Sequence, residues 1–106
     1  MNDVFDTHLQ ELRRGTVVLA CLQLLRVTGY GYGLLEALDG RGFSTDANTL
    51  YPLLRRLEGQ GLLTSEWREE EKRKKRFYVL SPQGEAMLAA LTEEWRGINA
   101  SLDRML

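Results

Sequence analysis

The sequence contains one cysteine, Cys21, and one histidine, His8, among 106 residues. That scarcity excludes an intramolecular disulfide and a four-ligand zinc site, and it leaves no nucleophile–base pair. The carboxylates fall in charged runs rather than beside apolar neighbours, so the pattern predicts no enzyme, no metal and no cofactor. Long apolar runs are also missing. None exceeds Val17 to Leu22, whereas about 20 residues are needed to cross a bilayer. The N-terminal MNDVFDTHLQE is acidic, unlike the basic-then-apolar start of a secretory signal. The expectation is a soluble, cytoplasmic chain with no membrane partner. Net charge is lacking too: 14 basic and 15 acidic residues leave −1, so any electrostatic signal must lie in the distribution of charge.

One segment concentrates that charge. In WREEEKRKKRFYVL, residues 67–80, three glutamates (Glu69 to Glu71) run into five bases (Lys72 to Arg76). Around it the chain reads as one domain with a modest core that would gain from a partner chain. From Leu12 to Val27 the sequence is apolar on nearly every face after Gly15, as in a helix buried on more than one side. Cys21 lies within it as a small core residue, and His8 precedes it as a surface residue. In TGYGYGLLEALDGRGF the glycines give way to a short helix carrying Leu34, Leu35 and Leu38, ended by Asp39-Gly40 and Gly42. The glycine spacing matches neither a dinucleotide fingerprint nor a P-loop.

A third helix follows in STDANTLYPLLRRLEGQGLL. Asp46 is its N-cap, Leu50, Leu53, Leu54 and Leu57 recur at helical spacing, and Gly59 and Gly61 stop it. Pro52 removes a bond to the Asn48 carbonyl, so pattern alone also allows the regular helix to begin at Pro52, with 46–51 as a turn. LLTSEWR and RFYVL have the bulk of strands, and the charged segment joins them as a hairpin. Ser81-Pro82 opens a last helix. Its apolar residues Leu88, Leu91, Trp95, Ile98, Leu102 and Met105 are spaced alternately three and four apart, which is the seam of helices that pair lengthwise. Gly97 beside the seam permits close approach of a neighbour; the seam packs on its own domain or, as its reach beyond the hairpin favours, contacts a partner chain. The order α-α-α-β-β-α predicts a mainly α (α+β) winged helix-turn-helix. Residues 1–81 form its head and residues 82–106 a dimerisation helix of the same compact unit. In such a module a helix enters the major groove and a basic hairpin grips phosphates.

The stretches GYGLLEAL, DANTLYPLLRRLEGQGLL and RKKRFYVLSPQGEAML, within residues 12–95, resemble the PadR family of bacterial transcriptional regulators. The short C-terminal extension resembles the subclass with a single dimerisation helix. The resemblance implies a homodimeric repressor on double-stranded operator DNA, released by a small molecule or another signal. It also implies that Pro52 is accommodated inside the recognition helix, placing Asn48, Thr49 and Tyr51 on its first turns. Asn48 suits adenine, Thr49 a base or phosphate, and the Tyr51 hydroxyl a phosphate. Alternatively, Asn48 and Thr49 satisfy free amides at the helix start and Tyr51 packs inward. Arg55 rather than Arg56 faces the duplex, Arg56 being placed to pair with an acid. Tyr32, with Tyr30, touches backbone or packs the helix-turn-helix.

On the wing, Lys72, Arg73, Lys74, Lys75 and Arg76 are expected to neutralise two or three phosphates per subunit, because strand side chains alternate in direction. The corresponding log–log salt slope is about −4 to −5 per dimer. Glu69 to Glu71 depart from the family pattern of a glycine-containing tip, and either brace the hairpin by pairing across it or repel phosphate. Trp95 resembles the tryptophan of multidrug-responsive members that stacks a flat aromatic effector between subunits. Otherwise it anchors a dimer core with Leu91, Ile98, Leu102 and Met105. Trp67 is assigned to hairpin packing. The rival reading is a winged-helix protein-interaction module that no longer binds DNA. The two differ in whether the recognition helix and the wing bases present one surface.

Overall fold

The structure, a computed structural model, describes residues 3–27 and 29–106. Its elements are α1 (Asp3–Leu24), β1 (Gly29–Tyr30), α2 (Gly31–Asp39), α3 (Ala47–Gly59), β2 (Leu63–Glu70), β3 (Arg73–Leu80) and α4 (Pro82–Met105). Helix α1 starts well before the apolar stretch at Leu12. Asp3 and Asp6 occupy its first turn, where carboxylates suit the positive end of the helix dipole. Most of its first four turns are exposed, so no burial pattern marked them in the sequence. His8 therefore lies on this helix, near Glu11.

Helix α3 begins at Ala47, so the helix does not wait for Pro52. The Asp46 carboxylate accepts a hydrogen bond from the Thr49 amide at 2.8 Å, which satisfies one of the free donors of the first turn. Pro52 lies on the exposed side, so the Asn48 carbonyl that it leaves without a donor sits where solvent replaces the bond. Leu50, Leu53, Leu54 and Leu57 are all buried on the opposite side. They join Leu22, Leu25, Leu38, Leu63 and Leu88 in one core between the helices and the sheet. Cys21 is fully buried there, and burial pushes its thiol up to about 12.

The sheet is antiparallel in the order β1-β3-β2. Its two-residue edge strand pairs Gly29 with Tyr78 and Tyr30 with Phe77. That strand was hidden in the sequence because its glycine-rich surroundings read as loop. The hairpin also differs from expectation. Both strands continue through the charge run to a final pair, Glu70 opposite Arg73, leaving only Glu71 and Lys72 as the turn. Their φ angles are 54° and 66°, the left-handed pair of a tight two-residue hairpin. Charged residues extend the strands here because the outer hairpin is exposed on both faces.

Helix α4 is fastened at its start. The Ser81 hydroxyl accepts from the Gly84 amide at 2.9 Å and donates to the Gly61 carbonyl at 2.7 Å. Gly84 is buried in the first turn, and a Cβ there would collide with the Leu62 carbonyl oxygen and the Leu80 side chain. Two measurements check this packing. Gly84→Ala should destabilise the protein by about 2 kcal/mol through overpacking, read as a fall in Tm of roughly 10 °C. Cys21 should resist a thiol reagent at pH 8 in the native protein and react fully once the chain is unfolded.

Candidate nucleic-acid interface

Burial of the four leucines decides which side of α3 faces outward. Asn48, Pro52 and Arg55, spaced four and three apart, share the opposite side and are exposed. Thr49 and Arg56 are exposed on one flank and Tyr51 on the other. Among the described residues the Asn48 and Arg55 side chains make no hydrogen bond or ion pair within the chain, and the Thr49 amide is already served by Asp46. Among the described residues Arg56 forms no ion pair with an acid either. Tyr51 is partly packed: its ring lies against Gly31, where any Cβ would strike it, yet it remains 37 % exposed. The absent side chain at Gly31 thus lets α3 approach the start of α2 closely.

Beside it, Tyr32 is exposed. The Glu36 carboxylate, as hydrogen-bond acceptor and as a charge, holds the Tyr32 hydroxyl above the ordinary tyrosine range. Tyr30 turns toward the sheet instead. Its ring centroid is 5.3 Å from that of Phe77, and Lys75 Nζ stands 4.5 Å from the ring centre in a cation–π contact.

Register sorts the wing charges onto two faces. Glu66, Arg68, Glu70, Arg73, Lys75 and Phe77 share one face. Ser65, Trp67, Glu69, Lys74, Arg76 and Tyr78 share the other. Lys72, Arg73 and Lys74 are exposed, and among the described residues they form no ion pair. Glu69 stands opposite Lys74 and Glu70 opposite Arg73, but no ion pair closes between them. Their bracing is therefore the weak attraction of solvated cross-strand charges, about 1 kcal/mol at most. Arg68 pairs with Glu66 on its own strand and lies over Phe77, 4.8 Å from the ring centre.

Arg76 behaves differently from the other bases. It reaches back to the last turn of α3, where its Nη2 donates to Glu58 at 3.0 Å while its Nε donates to the Ser65 hydroxyl at 2.9 Å. Glu58 and Ser65 were not singled out from the sequence, since nothing local connects residues that the hairpin register alone brings together.

At the other end of the molecule, Leu91 is half-buried while Trp95, Ile98, Leu102 and Met105 are exposed along α4. A groove of about 390 Å³ between α1 and α4 is lined by Leu19, Leu24, Phe43, Leu88, Trp95 and Arg96 among others.

The family model for PadR-like transcriptional regulators matches residues 18–90, which include the helix-turn-helix, the whole wing and the start of α4. The chain belongs to the PadR-like family of transcriptional regulators. A solved PadR family regulator from Eggerthella lenta is 38 % identical, with a TM-score of 0.91 over 97 % of this chain and 92 % of that one. A PadR-like transcription factor from Bacteroides fragilis is 26 % identical, with a TM-score of 0.79 over 94 % and 99 % of the two chains. A transcriptional regulator of Mycobacterium tuberculosis is 42 % identical over 69 residues, which are 65 % of this chain and 62 % of that relative. These likenesses establish the helix-rich α+β winged-helix fold.

Within this PadR-like chain the wing tip is locally costly, because Glu71 and Lys72 hold left-handed angles without being glycine or asparagine. Replacing the pair, Glu71→Asn with Lys72→Gly, should stabilise the protein by about 1 kcal/mol and raise Tm by roughly 4–8 °C in thermal unfolding.

Proposed function

We propose that this PadR-like regulator is a homodimeric repressor that reads operator DNA with the outer side of α3 and holds it with the wing. The observation that carries the reading is the set of exposed, internally unengaged side chains Asn48, Arg55, Lys72, Arg73 and Lys74 on the helix-turn-helix and wing. Asn48 supplies paired hydrogen bonds to a base edge. Thr49, Tyr51 and Arg55 take flanking base or phosphate contacts, Tyr32 reaches the backbone near the start of α2, and Lys72 to Lys74 neutralise phosphate. Lys75 is shared with the Tyr30 ring. Action on DNA places the protein in the cytoplasm.

The dimer forms through the helix of residues 82–106, with residues 1–81 as the DNA-binding head. Its seam is Leu91, Trp95, Ile98, Leu102 and Met105, whose outer members are too exposed in one chain to be explained by its own core. A Cβ at Gly97 would meet none of the described residues outside its own helix turn, which leaves room for a neighbour. The apolar groove beside Trp95 has the volume of a small-molecule site and suits a flat aromatic effector that relieves repression.

Gel-shift or anisotropy titrations at several salt concentrations test the reading. Lys74→Ala should lower the magnitude of the log–log salt slope by about two per dimer, one phosphate from each subunit, and an unchanged slope removes Lys74 from the contact set. Asn48→Ala should cost about 1–3 kcal/mol at the preferred operator and relax the preference at one base position per half-site. An unaltered preference leaves Asn48 without a reading role.

A further inference from the structure

Arg76 closes a triangle of side chains from three elements. Its guanidinium donates through Nη2 to Glu58 Oε1 at 3.0 Å and through Nε to Ser65 Oγ at 2.9 Å, and the Ser65 hydroxyl donates to Glu58 Oε2. Every corner is joined to the other two. Glu58 lies in the last turn of α3, Ser65 near the start of β2 and Arg76 in the middle of β3. The group is covered on the wing side by Trp67, the cross-strand partner of Arg76, whose ring centre is 5.4 Å from the guanidinium carbon; Tyr78 stands at 5.9 Å. Trp67, 62 % exposed, thus has a local task as a lid over this charge. The Arg76 and Glu58 side chains are only 38 % and 27 % exposed, in contrast to the free bases at the tip.

Between Glu58 and Ser65 the chain passes through Gly61 at φ 79° and turns from helix to strand. This junction sets the angle between α3 and the wing. Backbone hydrogen bonds from Gln60, Gly61 and Leu62 to the end of α3 and from Ser81 to Leu62 hold its inner side, with Leu62 and Leu63 in the core, whereas β2 beyond Ser65 is exposed. The triangle spans the outer side. The tip pair Glu70–Arg73 lies three residues beyond Arg76, about 10 Å along the strand, so a tilt at the triangle is carried directly to Lys72, Arg73 and Lys74.

We infer that Arg76 is a positioning residue rather than a phosphate contact: through Glu58 and Ser65 it locks the wing to the recognition helix, so that base reading and phosphate gripping occur in one register. The inference rests on the proposed DNA-binding reading and adds a source of specificity to it. Two directional donors at fixed separation require a guanidinium; a lysine ammonium delivers charge without the fork. Glu58 gives the cleaner sign. Coulomb's law alone says that removing a carboxylate from a DNA-binding surface strengthens binding, whereas loss of the lock weakens specific binding.

The experiment uses the full chain, genomic fragments selected by the wild-type protein, and a random-sequence duplex of equal length, with anisotropy titrations across salt concentrations. Glu58→Gln and Arg76→Lys are each expected to weaken binding to the selected fragment about 5- to 10-fold, the scale of one partly screened charged hydrogen bond. On the random duplex, where the wing can settle on phosphates in any register, Arg76→Lys should keep wild-type affinity and salt slope, and Glu58→Gln, with one carboxylate fewer, should bind at least as tightly as wild type. Ser65→Ala, which changes no charge, should follow the same pattern more weakly. Tighter binding of the selected fragment by Glu58→Gln overturns the inference, as does wild-type affinity for that fragment in Arg76→Lys. A lower salt slope on the random duplex in Arg76→Gln also overturns it, because Arg76 would then be neutralising phosphate. Should Arg76→Gln fail to fold, Glu58→Gln and Ser65→Ala decide the matter. If the wild-type protein selects no fragment over random DNA, the DNA-binding reading itself falls, and the inference with it; selection by wild type with unaffected variants removes only the inference.

Discussion

Burial of the leucine face of α3 is the constraint on which the rest of the molecule depends. With Leu50, Leu53, Leu54 and Leu57 in the core, the rotation of the helix is settled, and Asn48, Pro52 and Arg55 have no place except outside. The same core holds Leu63, Tyr78 and Leu80, and so settles the hairpin register. A slip of one residue would exchange the two wing faces. Arg76 would then turn away from Glu58, and Tyr78 and Leu80 would lose their burial. The placement of charge on the surface is therefore a consequence of apolar packing in the interior.

That register gives the charge reversal in residues 67–80 its physical meaning. Along β2, the turn and β3 there are six bases against four acids, so the wing is only mildly positive despite its basic run. Glu69 and Glu70 stand beside Lys74 and Arg73 without closing ion pairs, which dilutes the field of the strand while leaving each base available. Glu71 serves in the turn. Arg68 and Arg76 are committed to carboxylates and rings within the chain. Of the five consecutive bases, three form no ion pair or ring contact among the described residues. The wing tip is thus a short basic cluster rather than a broad positive surface.

Much of this was legible in the sequence wherever a local rule applied. Asp46 and Ser81 as caps, Pro82 at the first helical position, the leucine spacing of α3 and the stop at Gly59 each rest on interactions within a few residues. What escaped were features that arise only from tertiary placement. The strand Gly29–Tyr30 is defined by pairing to Tyr78 and Phe77 almost fifty residues away, and its own composition argues for loop. The first turns of α1 carry no burial pattern. The charged hairpin extended further than the bulk of LLTSEWR and RFYVL suggested, because strand pairing tolerates charge where both faces are wet. At the candidate site, the family resemblance singled out Asn48, Thr49 and Tyr51 as candidates, and the charge pattern singled out the basic run. They did not distinguish Arg76 from Lys74, since that difference depends on Glu58 and Ser65 arriving from other elements.

The fold and the family membership rest on the match over residues 18–90 and on solved relatives such as the Eggerthella lenta regulator; the proposed DNA-reading surface has a direct test. Hydroxyl-radical footprinting of the full chain on genomic fragments that it selects provides it. The account predicts two protected segments related by a dyad, with centres about one helical turn apart, roughly 34 Å, as two recognition helices of a dimer require. A single protected segment, or protection that does not depend on sequence, would contradict it.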